Sequence, residues 1–588
     1  MSDRSRRPRS LRWAAPAVAV IVLMAACSGS TDDDDAAPRD DATTDDATTD
    51  DATTDDATAS GEPAGEATVA VEENPNSVLS AVVRVESDTP SRAGLTAVAD
   101  DHEVAIAAGE SPSEEHELAL VGLRPETDYE VSVEAVDEAG DPLDAGDPIA
   151  FSSGPLPGDF PPIELEADPS RMAEGLTLLS LKPWGAPTNG QPVPEQSEDR
   201  PSGYLAVVDG EGFVVWYHAT ELGVLDARQV DGGFMYTYDD TVVHEVDLLG
   251  RLTNELAGRV ATDIAPADFL GRQRATAEAT PMDTDSAHHD AGPIPNGNLL
   301  LLSTELRELT GPPQCDEDTA EVTYPIISDV VAEVAPDTGE IVGEWSLADI
   351  YDPFERPGEQ LCIIGAPFAP PNYFYPVEEA RDWTHGNSVV LDEERNALIV
   401  SLRHLNAVLA IRYQDDDDGP AGELIWEIGP DGTLPLEGEP SYYQHAAEVL
   451  DGGEILVYDN GNSRPGAAVG GEGDPPYSRA VIYEVDDASD DEGEWSARQV
   501  WEHRLDNEEG LPVFTAFLGD VDELDNGNVL VTHGAIADDR GVLSARIVEV
   551  TRDGDTDDEV VFDLRVGDGT EGWTVYRSER FASLVPEP

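Results

Sequence analysis

The chain has almost no lysine. Lys182 is the sole one, so arginine supplies every other fixed cation in a total of 33 Lys+Arg. That lysine follows Leu-Leu-Ser-Leu and no glycine-rich loop, which excludes a Walker-type phosphate cradle. Positive charge of any kind is scarce, since 123 Asp+Glu leave a formal net charge of −90. Such a surface repels a polyanion and excludes nucleic-acid binding, which needs a basic face against the phosphates. Cysteine is rarer still among 588 residues, with three in all. Neither Cys315 nor Cys362 has a neighbouring His or Lys to lower its pKa, which argues against thiol catalysis. Helical spacing is nearly absent. Hydrophobic residues nevertheless make up 40% of the chain, enough for a real core, and the length calls for a large fold plus an accessory module. An acidic, lysine-poor surface suits solubility in high salt, although coding bias towards arginine produces the same composition.

The chain opens on an export signal. Arg4, Arg6, Arg7, Arg9 and Arg12 precede an apolar stretch from Trp13 to Ala26 that is too short to span a bilayer comfortably. Met24-Ala25-Ala26-Cys27 resembles a lipobox, in which Cys27 is lipidated and becomes the mature N-terminus; a plain secretory signal is the other reading. Residues 1–27 are therefore assigned to a lipoprotein signal peptide, and the folded part is expected to meet the membrane through that anchor only. Residues 28–73 include the repeat DATTDDATTDDATTDDAT, which has no apolar face to bury and reads as a disordered acidic linker. In an exported protein the pair Cys315 and Cys362 reads as a disulfide.

The remaining sequence is all β in character. Between residues 74 and 157 short runs alternate apolar and polar, most clearly in LRPETDYEVSVEAVDEAG, which places Tyr129, Val131, Val133 and Ala135 on one face. Leu-x-Pro-x-Thr-x-Tyr before such a strand resembles the fibronectin type III sandwich, with Tyr129 as its corner tyrosine. Residues 160–588 carry a loose repeat of strand–turn–strand units, punctuated by Asp231-Gly232, Asn296-Gly297, Asp451-Gly452 and Asn526-Gly527. Four strands repeated about six times predict a six-bladed β-propeller, with GWTVYRSERFASL as a closing strand.

The repeat register brings histidines together. His289 lies seven residues before Asn296, His445 lies six before Asp451, and His385 begins the matching strand HGNSVVLDEERN. Three consecutive blades thus predict a histidine at one level of the channel, with Asp520 at the corresponding place in the sixth blade and Arg403 beside them. Alternation predicts that His288 and His404 turn away, and these, with His533, read as structural. Two chemistries are open. Three imidazoles suit Zn²⁺ or Cu²⁺, but an arginine in the same pocket opposes a metal. Alternatively one histidine is a nucleophile while the others and Arg403 hold an anion.

DWTHGNSVV (382–390), ALIVSLRHLNAVLAIRY (397–413) and QHAAEVLDGGEILVYDNGNSR (444–464) resemble the bacterial aryl sulfotransferases. The resemblance implies a propeller that moves a sulfuryl group from a phenolic sulfate ester to a phenol without a nucleotide donor. It implies His445 as the nucleophile, and places His385, Asn387 and Arg403 on the family's His-x-Asn and Ser-x-Arg-His segments. His289, or failing that His288, falls on the earlier channel histidine. Arg403 and N–H donors from His289, His385 and Asn387 would hold the sulfuryl oxygens, and neither metal nor cofactor is called for. The rival expectation is a lipid-anchored propeller that binds anions or sugars and catalyses nothing.

Overall fold

The structure is a computed structural model. It describes residues 63–184, 203–220, 223–238, 240–264, 275–311, 322–356, 375, 377, 380–467, 473–489, 491–552 and 558–585. Cys27, Cys315 and Cys362 lie outside the described residues, as do the leader and most of the acidic segment. Among the described residues the only α-helix is the single turn Leu347–Ile350, and the rest of the regular structure is almost entirely strand.

The N-terminal module starts earlier than its composition suggested. Ala67–Glu73 is a strand and not part of a linker, because ATVAVEE alternates and pairs along its whole length with residues 81–87. The next strand, Ala81–Val98, is long enough to serve both layers of a sandwich. Its first half pairs with Ala67–Glu73 and Ser113–Leu120, its second with Glu103–Ile106 and Asp128–Asp137. Tyr129 is buried, and its hydroxyl accepts the Arg124 backbone N–H at 2.9 Å, the tyrosine-corner bond. Arg124 also ties the module to the rest of the chain, donating to Asp209 at 3.0 and 2.7 Å, while Asn74 and Asn76 each donate to the Leu249 carbonyl at 3.0 Å.

Beyond residue 160 the strands form six sheets in chain order, antiparallel except for a two-residue parallel strand at the edge of three of them. Their inner strands are Trp573–Phe581, Val224–Val230, His288–Pro293, Gly386–Asp392, His445–Val449 and Asp520–Glu523. Each inner strand touches the next, and the sixth touches the first, so the contacts run in a closed cycle. Between every neighbouring pair of sheets lies one apolar layer, such as Leu398, Val400 and Trp383 between the third and fourth, or Leu530, Ile547 and Trp573 between the sixth and first. Burying side chains of this size stabilises by about 1.5–3 kcal/mol each relative to exposure, so the sheets hold one another face to face. Both ends of the region close the cycle. Ile163–Ala167 is the outer strand of the sixth sheet, and Trp573–Phe581 is the inner strand of the first, paired with Leu176–Pro183.

Candidate active site

Three inner strands begin with irregular backbone. His289 and His385 adopt left-handed φ values of 58° and 52°, and Ala446, just after His445, adopts 47°. The pairing slips between His288 and Ala291, between Gly386 and Ser388, and between His445 and Ala447. A bulge re-aims side chains at a strand end, and here it delivers His289, His385 and His445 to one place. The His289 and His385 ring centroids are 5.0 Å apart, and Tyr576 lies 5.8 Å from His289 and 6.3 Å from His445. The same irregularity overturns the expectation that His288 and His404 face away. The strand Ala397–Leu402 ends before Arg403, and Arg403–Leu405 is a 3₁₀ turn, so strand alternation no longer applies there. The His404 ring consequently packs 4.4 Å from His385, and His288 Nδ1 is 2.8 Å from His289 Nδ1. His533 is bonded to the Tyr458 hydroxyl at 2.8 Å.

Hydrogen bonds assign the reactive nitrogens. The Asn460 amide donates to the carbonyls of Thr515 and Leu518 at 2.9 and 2.8 Å, so its oxygen faces His445 Nδ1 at 2.7 Å. His445 Nδ1 therefore carries the proton and Nε2 the lone pair. Burial first, then Arg403, His385 and Arg577, hold the His445 pKa well below the ordinary imidazole value and outweigh the Asn460 bond, so the ring is neutral. His385 Nδ1 donates to Asp382 at 2.5 Å. Burial opposes charge on Asp382, but His385 and His404 outweigh it and keep the carboxyl below its usual range. Asn387 is fully buried, and its amide donates to the Gln444 carbonyl at 2.8 Å, which ties the fourth and fifth inner strands together.

Arg403 is the cation of the site. Its guanidinium lies 4.7 Å from the Tyr443 ring centroid and donates to the Ala516 carbonyl at 3.0 Å. Among the described residues it has no ion-pair partner, and burial lowers its pKa to about 10 despite Tyr443 and Asp382. With no carboxylate partner among the described residues, this guanidinium is free to attract an anion.

Tyr576 and Arg577 were not foreseen, because GWTVYRSERF was read only as a closing strand. Arg577 donates to the Asn387 carbonyl at 2.8 Å and to Asp226 and Asp290 at 3.1 and 3.3 Å, with Asp520 at 3.7 Å. Arg228 bridges Asp226 and Asp290 at 2.8 and 2.7 Å. The sequence-predicted Asp520 thus belongs to an ionic knot joining five inner strands and not to the histidine group. Asp382 and Asn460 were also missed, although DWTH and YDNGN both lay within the motifs already singled out. The alternative of three channel histidines on a metal finds no matching geometry among the described residues. The group whose ligand atoms come within 4.8 Å is Asp382, His385 and His404, where the Asp382 oxygen and His385 nitrogen already bond each other.

The acids on these inner strands make stability depend on pH. Burial first, with the charges of neighbouring acids, pushes Glu448 up to about 8 and Asp520 and Glu579 up to about 7. Unfolded carboxyls titrate near pH 4, so their contribution is present below about pH 4 and is lost as pH rises through 7 to 8. Burial has the opposite consequence for His218 and His533, whose pKa values fall to about 4 and about 3. Their contribution is complete above about pH 6.5 and lost as pH falls. Above about pH 6.5 only the acids still titrate, so the urea midpoint should fall as pH rises from about 6.5 to 8. A midpoint that stays level from neutral to alkaline pH would contradict the raised acids.

A cycle of β-sheets whose centre gathers histidines beside an arginine that has no ion pair among the described residues suits an anionic substrate on an all-β scaffold. The sequence is narrower than that class. The profile of the family "Arylsulfotransferase (ASST)" matches residues 163–577, and that of the "Arylsulfotransferase Ig-like domain" matches residues 69–146. The chain belongs to the arylsulfotransferase family and carries its Ig-like N-terminal domain. A curated relative, arylsulfate sulfotransferase AssT from Escherichia coli O6:H1 (strain CFT073), is 25% identical over 260 residues; the match covers 37% of this chain and 40% of that protein. A protein of unknown function from Bacteroides caccae aligns over 69% of this chain and 98% of its own, at 14% identity and a TM-score of 0.36. The computationally designed Ika8 protein aligns over 83% of this chain and 99% of its own, at 9% identity and a TM-score of 0.25. At such scores neither likeness carries a conclusion.

Proposed function

We propose that this protein is an exported aryl sulfotransferase that needs no nucleotide donor, built as a six-bladed β-propeller, and that it works through a sulfohistidine at His445. The donor is a phenolic sulfate ester and the acceptor a phenol. The observation that carries this reading is the lone pair on His445 Nε2, set by Asn460, next to an arginine without a carboxylate. Family membership and the name of the E. coli relative support the substrate class. The cyclic contacts of the six sheets support the propeller. The basic start and lipobox-like Cys27 support export and anchoring.

His445 Nε2 attacks sulfur in line with the phenolate, which leaves with the S–O electron pair. Negative charge spreads over the three remaining sulfuryl oxygens, and Arg403 holds them. An acceptor phenol then takes the group from nitrogen. A protein that only bound anions would have no use for an imidazole held neutral with its lone pair exposed to the ligand. Incubation of an aryl sulfate with a second phenol tests the reading. Release of the donor phenol beyond one equivalent of protein should depend on the acceptor and should survive chelators; sustained acceptor-independent turnover, or no release at all, would overturn it.

Arg403→Lys keeps the charge but loses the planar fork. Its kcat should fall by about 10²–10³-fold, while the urea midpoint changes little. Unchanged turnover would remove Arg403 from the transferred group.

A further inference from the structure

His288 and His289 are adjacent in sequence, yet the bulge turns their rings towards each other, edge to face at 4.9 Å, with the two Nδ1 atoms 2.8 Å apart. At that separation one proton lies between them. The other nitrogen of His288 is unambiguous. Nε2 is 3.1 Å from Asp329 Oδ1 and 3.2 Å from the Ser303 carbonyl, and because both are acceptors, Nε2 carries a hydrogen. Asp329 is itself fixed, since its second oxygen accepts the Gly386 N–H at 2.7 Å and the Thr384 hydroxyl. Two arrangements satisfy these bonds. If His288 is neutral, its Nδ1 accepts from His289 Nδ1–H, and His289 Nε2 is a lone pair. If His288 is a cation, it donates from Nδ1, and His289 Nε2 carries a hydrogen. One proton placed on His288 therefore converts the far nitrogen of His289 from base to acid.

We propose that Asp329, His288 and His289 form a two-state proton relay, in which His288 stores the proton and His289 exchanges it with the phenol oxygen. The proposal rests on the sulfotransfer reading above and gives each half-reaction its proton. In the first half the His445 N–S bond forms and the aryl S–O bond breaks. His289 Nε2–H protonates the departing phenolate while the proton on His288 Nδ1 moves to His289 Nδ1, leaving the pair neutral. In the second half the acceptor oxygen bonds to sulfur and the N–S bond breaks. His289 Nε2 takes the phenol proton, and its Nδ1 proton returns to His288. The enzyme ends as it began.

The surroundings favour this division of labour. Burial works against charge on His288, but the hydrogen bond and charge of Asp329, the charge of Asp240 and the Ser303 carbonyl outweigh it and raise its pKa. His289 is lowered well below the ordinary value by burial first, then by His288, His385, His445 and Arg577. The stored proton thus resides on His288. Asp382 at the edge of the third sheet, His385 just before the fourth sheet's inner strand and Tyr576 of the first sheet also face the pair. Asp240, Asp329 and Asp382 line the small cavity beside it, of about 40 Å³.

The leaving group exposes the relay. Phenyl sulfate releases a phenolate whose conjugate acid has a pKa of about 10 and needs the proton; 4-nitrophenyl sulfate releases a weakly basic phenolate that does not. With donor alone, the wild-type burst from phenyl sulfate should slow as rising pH deprotonates His288, while the 4-nitrophenyl burst stays level. His288→Asn accepts from His289 but stores no proton. It should lose about 100-fold or more with phenyl sulfate and about 10-fold or less with 4-nitrophenyl sulfate. Equal losses for both donors, or coincident wild-type pH profiles, would overturn the relay, and the wild-type comparison decides even if the variant misfolds. No burst from either donor would instead overturn the sulfohistidine on which the relay rests.

Discussion

His445→Asn should fold normally and lose both halves of the reaction. Asparagine keeps a polar group of similar reach for Asn460 but offers no nucleophilic nitrogen. Incubated with donor alone, the native protein should release up to one equivalent of phenol and gain a sulfuryl group on the peptide containing QHAAEVL, and added phenol should remove it. The variant should show neither the burst nor the label, with turnover reduced by at least about 10⁴-fold. Steady-state kinetics of the native protein should be ping-pong. Full activity in His445→Asn, or a label on another peptide, would remove His445 from the covalent step. His385→Asn should slow both halves while leaving the label on His445, because His385 adjoins the reacting nitrogen without supplying it.

Much of this centre could be read from spacing alone. His289, His385 and His445 stand at similar distances from their turns, and the His289 and His385 rings do lie 5.0 Å apart, with Tyr576 within 5.8 Å of His289 and 6.3 Å of His445. Arg403 followed from its place after a strand of the same repeat. Orientation was harder to read. Period-two alternation assumes regular pairing, and the slips at His288, Gly386 and His445 break it where the site is built. The hydrogen-bond partners that choose each tautomer, Asn460 and Asp382, are invisible to a search for reactive residue types, because neither reacts. Arg577 was missed for a topological reason. It lies about 350 residues from Asp226, with which it pairs, and no local pattern announces that its strand returns to the first sheet. The limit of the N-terminal module was misjudged because acidic residues between apolar ones in ATVAVEE resembled the tail of the preceding repeat.

Arg577→Met should produce the largest loss of stability. The side chain is buried among Asp226, Asp290 and Asp520, and these charges raise its pKa well above the ordinary value despite the burial. Methionine fills similar volume but leaves the carboxylates facing one another. Removing one partner of a buried ionic group costs about 3–5 kcal/mol, and the urea midpoint should shift accordingly. Adding Asp290→Asn to the variant should recover part of the loss, because it removes one of the stranded charges. A loss below about 1 kcal/mol would mean that water already screens the knot.

The strand Trp573–Phe581 carries a consequence for biosynthesis. The first sheet waits for a segment made nearly four hundred residues after its own strand Leu176–Pro183. During vectorial emergence from ribosome or translocon, five inner strands are therefore available before the arginine that neutralises their carboxylates. A nascent chain at that stage holds His289, His385, Arg403 and His445 but has neither the keystone cation nor Tyr576 between the rings. On the function proposed above, a partly made chain would lack part of its site and could not consume donor. The same geometry leaves the unfinished ring with mutually repelling acids at its hub, which discourages premature closure until the last strand arrives.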